Sequence, residues 1–283
     1  MAEATLDISV AFDDSAYLTP QVYLQIASLR DNIPEGTTLH LTTTGNRKEL
    51  VKYISKNIPT KIYTAPPIDT LKSRCSYLLH AMEIESDADY VLKVDLDILF
   101  LRDFSELVRM LKEEPDIIIQ GENRRVIPDD AMEFRLWRNA YKALGIEMPT
   151  FKIHYIENHE EGLPLFNSGA FVIKTDKMKE IADRWVGMTK ICEKWLQYNL
   201  HPNEFALSAL VLDKKWKWVS MPEWIHFNPI SHYRKGIFPS QELIDDCKLP
   251  KEVFMFHWHK SNWLQHIAKY NPNVKEIVDR VNH

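Results

Sequence analysis

The chain has 283 residues, 45% hydrophobic and 27% charged, which is enough apolar material for one large α/β domain and is not the make-up of a disordered chain. Its net charge of -5 argues against a general nucleic-acid binder, which normally carries a basic patch large enough to show in the total. Residues 1–7 have neither the basic start nor the apolar stretch of a signal peptide, and no run reaches the roughly 18 apolar residues of a membrane span, so a cytoplasmic protein without a membrane span is expected. Cys75, Cys192 and Cys247 are far apart and odd in number, a pattern of reduced thiols and not of a disulfide framework or zinc cluster.

In chain order, residues 6–12 (LDISVAF) read as a buried strand, and Thr19-Pro20 opens a helix whose Val22, Ile26 and Leu29 share one face. A strand over 38–43, a helix from Asn46 and a strand over 61–65 follow. Asp69 then caps a predicted helix with the stripe Leu71, Cys75, Leu78, Leu79 and Met82. The next strand, 90–94 (YVLKV), runs directly into Asp95-Leu96-Asp97, and Arg102-Asp103 turns the chain into a helix to about residue 112.

After a strand over 116–120, the stretch 121–165 is polar and irregular around one helix, from near Asp129 to Gly145. A strand over 169–174 leads into a long helix from Asp176 with Ile181, Trp185, Met188, Cys192 and Trp195 on one stripe. A short helix after Pro202 and a strand near 216–220 precede a tail, from 222, rich in His and Trp. Strands alternating with helices predict a doubly wound, mainly parallel, Rossmann-like sheet, and neither a repeat nor a flexible linker divides 1–283. Residues 121–165 read as an insertion over the site, on the acceptor side, with Trp137 and Tyr155 as candidate acceptor contacts.

Ligands of such sheets bind beyond the carboxyl ends of the strands, where Asp95 and Asp97 fall. Two carboxylates one residue apart at a strand end can turn to one point and hold Mg²⁺ or Mn²⁺, leaving coordination positions for water and phosphate oxygens. A D-x-D at a strand end also occurs in phosphotransferases of the haloacid-dehalogenase type, where the first aspartate is a nucleophile. Those enzymes carry it near the N-terminus with Thr or Val two residues after the second Asp, whereas here several strands precede it and Leu99 stands there. A module that binds its ligand without catalysis is the other alternative.

Four segments in order, ISVAFDDSAYLTPQVYLQIASL, YVLKVDLDILF, FNSGAFVIK and HWHKSNW, resemble the retaining GT-A glycosyltransferases of the glycogenin and bacterial galactosyltransferase type, family 8. The resemblance implies a GT-A fold with a C-terminal tail closing the site. It also implies transfer of a sugar from a nucleotide-diphosphate donor, a UDP-sugar foremost, to a glycan, lipid or protein acceptor, with retention and with Mn²⁺ or Mg²⁺.

Carried onto this chain, it sets Ala11, Asp13 and Tyr17 beside the nucleotide, with Asp14 an alternative to Asp13 because DDSAY is a residue longer than in some relatives. A basic residue reaching the donor falls on Lys72 or Arg74, which lie about 160° apart around a helix; Arg74, with its planar fork, is the choice. Asn167 and Gly169 lie under the donor sugar, and Asn203 with Glu204 near the anomeric carbon. In the tail His257, or His259 as alternate, is the third ligand beside Asp95 and Asp97, followed by Lys260 on the diphosphate and Trp263, although the family's intervening glycine and proline are absent.

Overall fold

A computed structural model of the chain describes residues 4–12, 19–45, 48–66, 68, 71, 76–121, 132–154, 161–196, 201–222, 225–227, 253–258, 264, 268–269 and 272–282. In chain order the elements are β1 (Leu6–Phe12), α1 (Thr19–Arg30), β2 (Leu39–Thr43), α2 (Lys48–Asn57), β3 (Thr60–Thr64), a 3₁₀ helix (Ser76–Met82), β4 (Tyr90–Val94), β5 (Ile98–Phe100) and α3 (Ser105–Leu111). They continue with β6 (Ile117–Gly121), α4 (Met132–Leu144), β7 (Ile153–His154), β8 (Glu161–Gly162), β9 (Phe166–Lys174), α5 (Thr175–Cys192), α6 (Pro202–Asp213), β10 (Trp218–Ser220), β11 (His226–Phe227), β12 (Met255–His257) and α7 (Pro272–Asn282).

The large sheet has the order β10-β6-β9-β4-β1-β2-β3. Every neighbouring pair is parallel except the two made by β9, which runs antiparallel to both β4 and β6. This is a mixed, mostly parallel α/β sheet, as the alternation of strands and helices predicts. Strands 4 and 6 are apolar throughout except for Lys93, Gln120 and Gly121, because helices cover both faces. Leu92 and Val94 pack with α1, α2 and α3, while Val91 points the other way into a cluster built from α4, α5 and α6. A second, three-stranded sheet, β11-β12-β5, sits on α1 and α7, with Leu99, Phe256 and Trp258 in its core.

Three local expectations change. Strand β9 starts at Phe166, three residues earlier than the apolar run suggests, because Phe166 pairs with Gly121 and its amide is taken by the Ser208 hydroxyl at 2.8 Å. The described part of the helix expected after Asp69 is a 3₁₀ helix, its seven residues held against β1, where the Ser9 hydroxyl donates to the Ala81 carbonyl. Helix α5 ends at Cys192, so Trp195 leaves the stripe and is 42% exposed while Leu196 takes the buried place. Among the described residues no helix is long and apolar enough to cross a membrane.

Candidate active site

Strand β4 ends at Val94, and the next two turns of chain carry Asp95 and Asp97 out of one sheet and into the other. The peptide amide of Asp95 donates to the Gly169 carbonyl at 2.7 Å, tying this bend to the beginning of β9. Because β9 is antiparallel, its first residues, Asn167 to Gly169, stand at the carboxyl edge of β4. Behind the bend, α1 presents Gln25 and Ser28, at i and i+3, and Asn32 follows in the turn just after the helix. The Gln25 amide donates to the Asp95 carbonyl at 2.6 Å, the Ser28 hydroxyl accepts from the Phe100 amide at 3.1 Å, and Asn32 donates to the Phe100 carbonyl at 3.2 Å. Two side chains of α1 and one from the turn after it thus satisfy backbone groups of Asp95 and Phe100.

The second sheet brings in the third group. Strand β12 pairs antiparallel with β5, setting His257 opposite Ile98, and the Trp258 amide donates to the Asp97 carbonyl at 2.9 Å. The His257 ring lies against Asp97, Nε2 to Oδ1 3.0 Å. Ligand atoms of Asp95, Asp97 and His257 lie within 4.8 Å of one another. Two carboxylate oxygens and an imidazole nitrogen suit Mn²⁺ or Mg²⁺, the nitrogen favouring Mn²⁺. The residues present therefore fit a divalent cation.

A fully buried lysine lies beneath this group. Lys93 donates to the Asp95 carboxylate and, at 2.6 Å, to the Ser168 carbonyl. Burial pushes the Asp95 carboxyl above the usual carboxylate range; the Lys93 ammonium opposes this and the neighbouring Asp97 reinforces it. A cation would add to the positive charge already supplied by Lys93.

On the other side of Asp95, the Gly169 amide donates to Asn167 Oδ1 at 2.6 Å, and Asn203 Nδ2 donates to Ser168 Oγ at 2.9 Å. Asn203 and Glu204 lie in the first turn of α6, both buried, after His201 has turned the chain through a left-handed conformation with φ 46°. The Trp185 indole fixes that turn from α5 by donating to the Asn203 carbonyl at 2.8 Å. Gly169 meets a close approach: a β-carbon there would lie 2.7 Å from His257 Cε1 and 2.8 Å from Asn167 Oδ1. The position admits only glycine without a shift of the site.

Of the residues expected from sequence, the structure brings together Asp95, Asp97, His257, Asn167 and Gly169, with Asn203 reaching them through Ser168, while the Glu204 carboxylate faces His201 at 4.0 Å. Ala11 is buried one residue before the end of β1. Asp13, Tyr17, Arg74, Lys260, His259 and Tyr155 lie outside the described residues. Trp137, expected at an acceptor surface, is instead in the core, edge-on to Phe205 at 4.9 Å between ring centres, because α4 buries that face against α6. Sequence reasoning missed Lys93, the α1 clamp and His226. A lysine inside an apolar strand was an available signal for the first.

The family described as the Rhodobacterales glycosyltransferase domain matches residues 78–220, which take in the D-x-D segment, β9 and α6 and run to the end of β10. Among solved structures, the galactosyltransferase LgtC, crystallised with donor and acceptor sugar analogues, is similar over 97% of this chain and 95% of its own, at TM-score 0.61 and 15% identity. Mouse xyloside xylosyltransferase 1 is similar over 92% and 98%, at TM-score 0.53 and 12% identity. The glycosyltransferase GlyE of Streptococcus pneumoniae TIGR4 is similar over 99% of this chain and 63% of its own, at TM-score 0.59 and 12% identity. No curated protein matches by sequence.

Proposed function

Because the chain belongs to the Rhodobacterales glycosyltransferase domain family and is a sugar-transferring enzyme of GT-A fold, we propose that its donor is a UDP-sugar bound with Mn²⁺ or Mg²⁺ on Asp95, Asp97 and His257. The observation that carries this reading is the convergence of those three groups, from two sheets, at the carboxyl edge of β4. Family membership sets aside the phosphotransferase alternative.

Held by Asp95, Asp97 and His257, a cation would supply Lewis acidity towards the charge of the diphosphate leaving group. The chain's own residues do the rest by position and charge. Lys93 holds Asp95 and the Ser168 carbonyl in one arrangement, so the cation side and the sugar side of the site keep a fixed separation. The missing side chain of Gly169 lets His257 and Asn167 approach the backbone closely, and in this reading Asn167 serves a donor-sugar hydroxyl. Glu204, buried at the start of α6 beside Asn203, is the carboxylate assigned to the positive charge that develops at the anomeric carbon.

In the same reading Ala11, Asp13, Tyr17 and Arg74 border the nucleotide, and Lys260 meets the diphosphate. Residues 121–165 form the acceptor side, for a glycan, lipid or protein hydroxyl. Transfer goes with retention, in the cytoplasm. Calorimetry tests the core of this: UDP binds tightly with Mn²⁺ present, and affinity collapses in chelator and in Asp97→Ala. Equal affinity under all three conditions would remove the metal from the mechanism. A thermal-shift screen of nucleotide sugars with Mn²⁺ then identifies the donor, since a ligand that binds only the native state raises Tm.

A further inference from the structure

A second histidine stands behind His257. His226, on β11, is fully buried, and its Nε2 lies 3.3 Å from His257 Nδ1. The ring planes are 25° apart with centres 5.4 Å from each other, so the facing nitrogens lie close to both planes, as an N–H···N hydrogen bond requires. His257 thereby uses its two nitrogens in opposite directions: Nε2 towards Asp97 at 3.0 Å and Nδ1 towards His226. His226 is itself held in place. The Gln120 side chain, at the end of β6, donates to its carbonyl at 3.1 Å, and the Met255 amide takes the adjoining Ile225 carbonyl at 2.8 Å.

We propose that His226 is a positioning residue that fixes the tautomer and ring orientation of His257; this rests on the reading of His257 as a cation ligand. An imidazole coordinates a metal through a lone pair, so with Nε2 turned to the cation the proton of neutral His257 is on Nδ1. That N–H needs an acceptor in a site closed to water, and His226 Nε2 is the atom that faces it. Acceptors behind ligating histidines usually are carboxylates or carbonyls; here the group is a second imidazole, with a weaker pull on the proton. The Gly169 contact completes the arrangement, with His257 confined between Gly169 on one side and His226 on the other. A ring rotated about χ2 would lose the His226 contact and swing Nε2 away from Asp97.

The test is a titration of the full chain with Mn²⁺, alone and with UDP, read by the electron paramagnetic resonance of free and bound ion. His226→Phe keeps an aromatic ring in the buried place and removes the acceptor; His226→Gln keeps an acceptor oxygen. His226→Phe is expected to weaken Mn²⁺ binding by about 10–100-fold and to broaden the bound-ion spectrum, with His226→Gln recovering most of the affinity. Thermal unfolding of both variants without metal controls for packing. Wild-type Mn²⁺ affinity and spectrum in His226→Phe would overturn the inference while leaving His257 a ligand. Equal weakening in both variants would also overturn it, since the loss would then come from packing. If His257→Ala binds Mn²⁺ as wild type does, it is the ligand reading that fails.

Discussion

At single residues the structure separates groups that hold the fold from groups that hold the site. Asp7 belongs to the first kind. Burial raises its carboxyl pKa, but donors from His40 at 2.8 Å, Ser86 at 2.6 Å and the Thr38 amide at 2.8 Å outweigh that and set it below the usual range. A carboxyl with a depressed folded-state pKa stabilises fully above its unfolded value, near pH 4, and loses that contribution as pH falls towards the folded value. Asp7→Asn is therefore expected to lose about 1.5–3 kcal/mol at pH 7, a difference that shrinks below about pH 4 in denaturant titrations at several pH values. Gly169 belongs to the second kind. Gly169→Ala pushes a methyl group against His257 and Asn167, costing about 1–3 kcal/mol of stability. It also lowers Mn²⁺ affinity and transfer rate; a variant with wild-type Mn²⁺ binding would mean that the two side chains relax without moving the ligand.

Among the elements, α1 acts on the site from outside it. Removing the Gln25 hydrogen bond by Gln25→Leu leaves the Asp95 carbonyl without its donor, at an expected 1–3 kcal/mol, about the penalty for a buried unsatisfied acceptor. The same variant loosens the acidic bend, so Mn²⁺ titration should show weaker binding; an unchanged dissociation constant would confine Gln25 to stability. The contrast between α1 and the strands explains what could be read from sequence. Strands β1, β4 and β6 are short, largely apolar segments, and the D-x-D follows one of them directly, so their order and the acidic edge were legible. The polar face of α1 looks solvated by local pattern, yet it is buried behind another segment's backbone. Likewise Asn167-Ser168-Gly169 has the composition of a turn, and it is strand because Phe166 pairs with Gly121 on one side and the Gly169 carbonyl takes the Asp95 amide on the other. Trp137 and His226 fail for the same reason: each is placed by a partner far along the chain, Phe205 or His257, that no local period announces.

For the whole molecule, the second sheet makes the site depend on its distant C-terminal helix. Helix α7 buries Val274 and Ile277 in the cluster that also contains Leu99, Phe256 and Trp258, and Arg280 reaches Asp31 at the end of α1. Ile277→Ala is expected to lose about 2–5 kcal/mol. If α7 supports β12 as this packing implies, the variant also shows faster hydrogen exchange across 255–258, whereas exchange confined to 272–282 would mean that the helix unfolds alone. The pairing of β5 with β12 has a further consequence during synthesis. Asp97 and His257 are 160 positions apart (257 − 97), so at roughly 5–20 residues per second a ribosome needs on the order of 8–30 s to deliver the third group after the second. Through that interval β5 has no antiparallel partner, and Leu99 and Phe100 are an unpaired apolar edge on the nascent chain. It is residues 255–257 that end this exposure, so the step that covers the apolar edge is the same one that delivers His257 beside Asp97.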